Sequence, residues 1–453
     1  MRMFPHGVVL PFRKDAALRQ PIEPLVPAQP MLIPIANLTA GEEAPSLMLP
    51  VGQTVPQGAV LTRDPDGFPA VATVSGTVTG TVTLTHPQYG DLLCATLEPQ
   101  SDYAGEERVL FGSNTADEVL STLHDTASAA SDGTRLAASL TRKKQPSADE
   151  MLEILRLAGV YDELDGAALA EKLTVWRLPE NDPAARRCIL VADGTENDVF
   201  GSAAWAVLEE SPERVLDGLR LLAKILGFPR CHIATMLPKK RRTALRTAVG
   251  KENVYIVPDE YPVTRYADSR DEVFRVGVQA CAAASRAIRE GIKNTAAVVT
   301  VTGDEVLSSR NLRIPYGTPL REILTAVSAD PSGVTVLGDS MTGVVCRDLD
   351  LPLLPGTTTL LVLPDKPRPL PQPCIGCGRC AAVCHAGLLP YEIVRRQENM
   401  HYERLQHLSA WECDGCGVCS YVCPAHRNVT LDVLRAGESG NTVFLHWGDE
   451  DAE

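Results

Sequence analysis

The chain has 453 residues, a formal net charge of −14 and a sequence pI of about 5.2. That length suffices for about three domains. The acidic balance and the lack of any long basic stretch argue against nucleic acid as a partner. No apolar run approaches the roughly eighteen residues of a membrane span, and no apolar segment with a small-residue cleavage site follows the start. The expectation is a cytoplasmic chain without a transmembrane segment, with peripheral attachment to the inner face of the cell membrane left open.

Residues 1–30 hold Pro5, Pro11, Pro21, Pro24, Pro27 and Pro30. They predict an irregular segment lying across the surface of the next unit. MLIPIANL (31–38) reads as a strand. From 50 to 98, short strands alternate with Gly and Pro turns, as in VGQTVPQGAVL (51–61) and ATVSGTV (72–78). This stretch resembles a small barrel-sandwich of the biotinyl- and lipoyl-carrier type. A carrier holds its prosthetic group on a lysine amine, yet no lysine occurs between Lys14 and Lys143. A swinging arm is therefore excluded, and a structural or docking role is expected. Residues 99–148 are polar and read as a connector with one short helix over 115–124.

From 149 the period changes. SADEMLEILRLAGVYDELDGAALAEKL predicts two short helices, with Ser147 and Glu150 as a capping box. RRCILVADG (186–194) is a buried strand, and SAAWAVLEESPERVLDGLRLLAKILG (202–227) is helical with a break near Pro212. A second strand (230–237), a helix closed by Gly250 (239–250), a third strand (253–262) and a long helix (270–291) follow. The alternation implies a parallel, layered α/β domain. Residues 295–363 turn β-rich, with PYGTPLREIL (315–324) setting a short helix after a tight turn, in the manner of a soluble-ligand-binding β-grasp repeat. Prolines at 364, 367, 369, 371 and 373 predict an extended linker.

The strongest signal closes the chain. CIGCGRCAAVCH starts at Cys374 and CDGCGVCSYVCP at Cys413. Each block has the spacing C-x2-C-x2-C-x3-C, and a pair of such blocks is the bacterial ferredoxin pattern for two [4Fe-4S] clusters. Three closely spaced cysteines wrap one cube, and the fourth serves the other cube. On that rule Cys374, Cys377, Cys380 and Cys423 hold one cluster, and Cys413, Cys416, Cys419 and Cys384 hold the other. Gly376, Gly378, Gly415 and Gly417 allow tight turns whose N–H groups can donate to cluster sulfurs. His385 stands where proline is usual and is read as a neighbour of the cluster, not a ligand. Zinc sites use one or two C-x2-C pairs, not two such triples, and disulfides need an oxidising compartment. GLLPYEIVRRQENMHYERLQHLSAWE (387–412) reads as helix-forming and carries the chain between the blocks. The acidic end of the tail is expected to be mobile.

Taken together, HGVVLPFRK, MLIPI, the two hairpin stretches, TVTGDEV…NLRIPYGTPLREIL and the cysteine cassette are similar to the C subunit of the Rnf electron-transport complex over nearly the whole chain. The resemblance implies a barrel-sandwich domain (1–98), the connector (99–148), an NADH-dehydrogenase 51-kDa-like α/β domain (149–292), a β-grasp domain (293–364), a helical dicluster ferredoxin domain (365–435) and an acidic tail (436–453). The fold class is thus multidomain α/β and β. It also implies electron exchange with NAD(H) through FMN, and partners among membrane-embedded Rnf-type subunits or a dedicated oxidoreductase, with a soluble ferredoxin or flavodoxin as carrier.

The α/β domain departs from that family. A GLGGAGFPT-like flavin loop becomes LRLAGVYDELDG (155–166), which keeps only Gly159 and Gly166. An NAAECEP-like stretch becomes VADGTENDVF (191–200), with Asp193, Glu196 and Asp198. A YPQGGEKQ-like stretch becomes YPVTRYADSRDEVF (261–274), keeping Tyr261 and Pro262. Glycines let backbone N–H groups cradle a phosphate, so flavin and nicotinamide binding is expected to be lost or changed. The expected function is electron transfer through two [4Fe-4S] clusters between a soluble low-potential carrier and a membrane-associated redox complex. An FMN-dependent NADH:ferredoxin oxidoreductase module and a non-catalytic iron–sulfur scaffold are the alternatives. No catalytic residue stands out. Lys239, Lys240, Arg241 and Arg242 read as a solvated basic face or an acidic-protein docking patch. Cys188, Cys231, Cys281 and Cys346 read as buried inert thiols, and His232 and His401 lack ligand-spaced companions.

Overall fold

In a computed structural model the described residues are 2–4, 7–37, 47–63, 69–100, 146–179, 182–267, 271–367, 369–400 and 405–447. The expected connector helix (115–124), His401 and the acidic end of the tail lie outside them. The chain forms a mixed α/β multidomain structure with several sheets, one of them parallel, ahead of the C-terminal cysteine region.

The parallel sheet has the strand order Val254–Ile256, Cys231–Thr235, Cys188–Gly194, Glu272–Gly277. The strand Cys188–Gly194 is buried along its whole length. Its side chains alternate between two cores, which is why it reads as an unbroken apolar run. Cys188, Leu190 and Ala192 enter the main helical core, while Ile189 and Val191 meet Val257 and Tyr266 on the other face. The predicted break at Pro212 separates helices Ala203–Glu210 and Pro212–Leu226, and Ser147 with Glu150 forms the capping box of helix Ala148–Ala158.

The expected helix over 270–291 is a correction. Its first part is the strand Glu272–Gly277, which joins the parallel sheet beside Cys188–Gly194, and only Val278–Glu290 is helical. EVFRV has the β-branched and aromatic alternation of a strand, and the alanine-rich run after it masked that change of period. The second part packs closely on Pro212–Leu226. A Cβ at Gly218 would lie 1.8 Å from the Cys281 carbonyl oxygen, so glycine is required there. The third strand is also shorter than expected, at Val254–Ile256.

A six-stranded sheet follows, in the order Val344–Cys346, Val334–Leu337, Thr359–Leu363, Ala296–Thr302, Arg310–Pro315, Glu23–Pro24. Its last member comes from the N-terminal segment, which corrects the picture of residues 1–30 as a surface covering. Arg2–Phe4 also pairs with Gly7–Val9, and Lys14 is buried. Proline removes only its own N–H, so isolated two- and three-residue strands remain possible between prolines. The remaining N-terminal residues build an antiparallel sheet ordered Met31–Asn37, Gly90–Pro99, Gly76–His86, Thr54–Val55. Polar bonds tie these units together. Gln57 Nε2 donates to Thr295 Oγ1 at 3.0 Å, and Asn311 Nδ2 donates to the Ala17 carbonyl at 3.1 Å.

In the C-terminal region the described residues of the expected helical stretch 387–412 form one helix, Pro390–Glu398, and short 3-10 turns at Gln406–Leu408 and Ala410–Glu412. The tail is a further correction. Helix Val429–Trp447 runs straight through residue 436, so the segment read as a tail begins inside a helix. Val433 and Ala436 face the region's core and supply the apolar spacing that anchors it.

Candidate functional site

The cysteine region is an internal repeat. Short helix Arg379–Ala382 in the first half corresponds to Val418–Tyr421 in the second, and the helix from Pro390 corresponds to the one from Val429. The glycines match as well. Gly376, Gly378, Gly415 and Gly417 have φ of 66°, 70°, 75° and 82°, a left-handed conformation that a side chain disfavours. Each half therefore turns tightly between its first three cysteines. The turns aim N–H groups at sulfur, as in Gly376 N–H to Cys374 Sγ at 3.5 Å. N–H groups of Gly415 and Val418 likewise reach the Cys413 and Cys416 sulfurs.

The halves are brought together around one core in which Cys380, Cys384, Cys413, Cys419 and Cys423 meet Leu388, Ile393, Val429 and Val433. Cys384 lies close enough to Cys413 to act on its charge. Burial pushes the Cys416 thiol up to about 12 and the Cys419 thiol up to about 11. Such buried thiols favour thiolate only beside a strongly cationic partner, which a bound metal provides. Eight thiols, two glycine-turn cradles and inward N–H groups fit thiolate-bound iron–sulfur clusters. His385 Nε2 is 2.8 Å from Asp414 Oδ2, so that ring is engaged by a carboxylate.

The halves differ in cover. Cys374 and Cys377 are exposed, whereas Cys419 is buried. The second half abuts the body of the protein. Tyr261 Oη donates to the Cys416 carbonyl at 2.7 Å. Val418 and Val422 pack with Val8 and Tyr261, and Met341 lies beside them. Burial, and then the charge of Asp339, raises the Tyr261 hydroxyl above its ordinary value, which keeps it a donor.

The parallel-sheet cleft is the second candidate place for a ligand. In open parallel sheets, ligands bind beyond the carboxyl ends of the strands, and a helix N-terminus there suits a phosphate. Helix Val278–Glu290 begins at such a place. Its N-terminus is occupied by the chain's own carboxylates. Glu163 Oε1 accepts from Gln279 N–H at 2.6 Å, Glu163 Oε2 from Ala280 N–H at 2.9 Å, and Asp162 Oδ1 from Gly277 N–H at 2.9 Å. A Cβ at Gly277 would lie 1.9 Å from the Glu163 carboxyl carbon. Both acids come from the stretch LRLAGVYDELDG (155–166). Lys172 Nζ balances them at 2.6 Å from Asp162 Oδ2. Burial, and then the Asp162 charge, raises the Glu163 carboxyl above its ordinary range. Gly159 serves as a helix cap, and Gly166 sits in a turn against Pro355.

The acidic stretch is likewise committed to structure. Asp193 Oδ1 accepts from Thr195 N–H at 3.0 Å, and Asp193 Oδ2 lies 3.2 Å from Arg275 Nη1. Glu196 accepts from Ala204 N–H. Asp198 accepts from Phe200 N–H at 3.0 Å and Ser340 N–H at 2.9 Å. Burial opposes the Asp198 charge, but these bonds outweigh it and hold the carboxyl below its ordinary range. Lys14, overlooked as a functional position, donates to the Gly201 carbonyl at 2.6 Å and to the Asp198 carbonyl. Its ammonium sits 5.3 Å from the Trp205 ring centroid. Its signal was its place within HGVVLPFRK. Glu163 and Tyr261 carried no local signal for the contacts they make.

Among known proteins, residues 373–426 match the 4Fe-4S dicluster domain family, and all eight cysteines fall in that range. The C subunit of the ion-translocating oxidoreductase complex of Pseudomonas aeruginosa is 27% identical over 420 residues, covering 87% of this chain and 50% of that protein. Its counterpart from Pasteurella multocida is 25% identical over 455 residues, covering 93% of this chain and 50% of that protein. The chain is a distant homologue of these proteins over most of its length. It spans half or less of the length of such curated relatives, 45% in the case of Rhodobacter capsulatus and 28% in that of Erwinia tasmaniensis. Among solved structures, a chain of an NAD+-reducing [NiFe]-hydrogenase in the air-oxidised state aligns at a TM-score of 0.41 and 14% identity, covering 71% of this chain and 72% of that one. The dicluster match together with the eight cysteines implies two [4Fe-4S] clusters in this chain. No helix among the described residues is long and apolar enough to cross a membrane.

Proposed function

We propose that the chain is an electron-transfer subunit whose cysteine cassette passes electrons between a soluble low-potential carrier and a membrane-associated redox complex. The observation that carries this reading is the repeated glycine-turn half, with cysteines of both halves meeting around one core. Cys374, Cys377, Cys380 and Cys423 would hold one cluster, and Cys413, Cys416, Cys419 and Cys384 the other. The proximity of Cys384 to Cys413 supports that crossing. When bound, the clusters supply one-electron chemistry. The chain's own residues supply the rest: N–H donors to sulfur, an apolar core that excludes water, and Tyr261 fixing the second half on the body.

By the names of its relatives, the partners would be the other subunits of an ion-translocating oxidoreductase complex, reached from the inner face of the membrane. The parallel-sheet unit, barrel-sandwich-like sheet and β-grasp-like sheet then serve as body and docking frame. Glu163 at the N-terminus of helix Val278–Glu290 weighs against an FMN phosphate at that point, because its carboxyl already fills the N–H groups that a phosphate would need. Anaerobic purification with iron, sulfide and flavin analysis tests the reading. About eight irons per chain and no flavin absorbance are expected. About four irons or fewer would sink the two-cluster claim, and stoichiometric flavin would return the chain to the NADH-linked alternative.

A further inference from the structure

The internal repeat gives the cassette two equivalent outer surfaces, and the body covers one of them. On the second half, Cys416 offers its carbonyl to Tyr261, Gly417 lies against Met341, and Val418 is buried. A Cβ at Gly417 would be 2.9 Å from the Met341 carbonyl oxygen. The matching positions on the first half are Cys377, Gly378 and Arg379. There the Cys377 carbonyl accepts no hydrogen bond among the described residues. A Cβ at Gly378 would meet nothing within 4 Å. Arg379 is exposed and has no ion-pair partner among the described residues. In the same block Ile375 is 70% exposed, and in the linker before it Leu370 is 78% exposed.

We infer that this first-half surface is the docking site for an acidic redox protein. The inference rests on the electron-transfer function proposed above. The covered twin indicates the kind of cover: folded polypeptide that presents a hydrogen-bond donor to a cysteine carbonyl and apolar side chains around it. Between the twins Val418 becomes Arg379 and Asp414 becomes Ile375, so the first-half surface gains a cation and loses an acid, which specifies a carboxylate opposite position 379. In a chain of net charge −14, an acidic partner is repelled at long range, so an uncompensated cation beside exposed apolar groups fixes where it lands. Ile375 and Leu370 supply the desolvated centre of such an interface, and Arg379 its specificity. The exposed thiols Cys374 and Cys377 place this contact beside the more accessible half of the cassette.

The test uses the iron-loaded full chain and, as probe, an acidic plant-type [2Fe–2S] ferredoxin in its oxidised form. Binding is measured by biolayer interferometry at low salt, after iron content has been matched between variants. Arg379→Glu is expected to weaken binding about tenfold, and Arg379→Lys to keep it within about twofold. The lysine variant is further expected to form a carbodiimide cross-link from residue 379 to a probe carboxylate. Lys251→Glu, the same change of net charge at a distant exposed site, is expected to leave binding unchanged. Equal binding by wild type and Arg379→Glu overturns the docking site, and so does an iron-replete wild type that does not bind the probe. Iron-poor protein overturns the electron-transfer reading itself, and the docking site with it.

Discussion

The Tyr261 hydroxyl donates to the Cys416 carbonyl at 2.7 Å, across the junction between the parallel-sheet unit and the cysteine cassette. The two residues are far apart in sequence, and each belongs to a motif read for a different reason. Tyr261 also pairs with Val8 through both of its backbone groups, at 2.9 Å and 2.8 Å. The N-terminal segment, the sheet unit and the second cassette half are therefore fastened at one point. A carbonyl between two cluster cysteines is held by a buried hydroxyl, so the loop's geometry depends on the body.

Replacing that hydroxyl should loosen the second half without emptying it. Tyr261→Phe keeps the ring among Val8, Val418 and Val422 but leaves the buried carbonyl unpaired, at a cost of about 1–2 kcal/mol. The expected outcome is unchanged iron content and a lower urea midpoint for bleaching of the cassette's visible absorbance. A changed electron paramagnetic resonance line shape from one of the two centres should accompany it. An unaltered spectrum would mean that the hydroxyl does not set the loop geometry.

Much of this arrangement was legible in the order of residues alone. Cysteine spacing is a local code, since ligands two or three residues apart must share a turn, and the left-handed glycines follow from the same constraint. The break at Pro212 and the Ser147–Glu150 cap were local as well. What escaped depended on long-range pairing. Nothing near Glu23 marks it as a strand until Leu312 lies beside it. EVFRVG lost its identity to the alanine-rich helix that follows. Only the fold brings Glu163 to the start of a helix more than a hundred residues later. Burial of Lys14 likewise rests on Asp198 and Gly201, which no period in the first thirty residues could announce.

Lys14 is the second site to probe. Its ammonium is buried against two carbonyls and the Trp205 ring, with Glu196 and Asp198 close by. Burial lowers its pKa, opposed by those two carboxylates. Lys14→Met preserves volume but orphans both carbonyls and leaves Glu196 without its counter-charge. A loss of about 3 kcal/mol is expected, read as a lower urea midpoint in tryptophan fluorescence. An unchanged midpoint would show that the N-terminal segment is not part of the cooperative unit.

The crossed ligand assignment makes a distinct prediction. Cys374 and Cys377 are exposed while Cys419 is buried, so a chelator such as bathophenanthroline should release about four irons quickly and about four slowly. If Cys423 completes the exposed centre and Cys384 the covered one, Cys423→Ala should accelerate the fast phase and Cys384→Ala the slow phase. The reverse pattern would indicate that each block keeps its own fourth cysteine.

Glu163 provides a pH test. Its folded carboxyl is raised, first by burial and then by the Asp162 charge. For an acid, a raised folded value means that the native state holds a proton that the unfolded state has released. Stability from this group is therefore present below the unfolded value, about 4.3, and falls as pH rises through the window up to the folded value. Glu163→Gln cannot ionise and removes that slope. The variant loses one of the two acceptor oxygens facing Gln279 and Ala280, so it is expected to be less stable than wild type at pH 5. The gap should narrow steadily toward pH 8, because the wild type alone loses stability as the carboxyl of its unfolded state ionises while the folded one holds its proton. Urea midpoints at several pH values between 5 and 8 measure this. A gap that widens with pH would show that the ionised carboxylate is the preferred cap, which would make the helix N-terminus an anion site that the chain fills permanently.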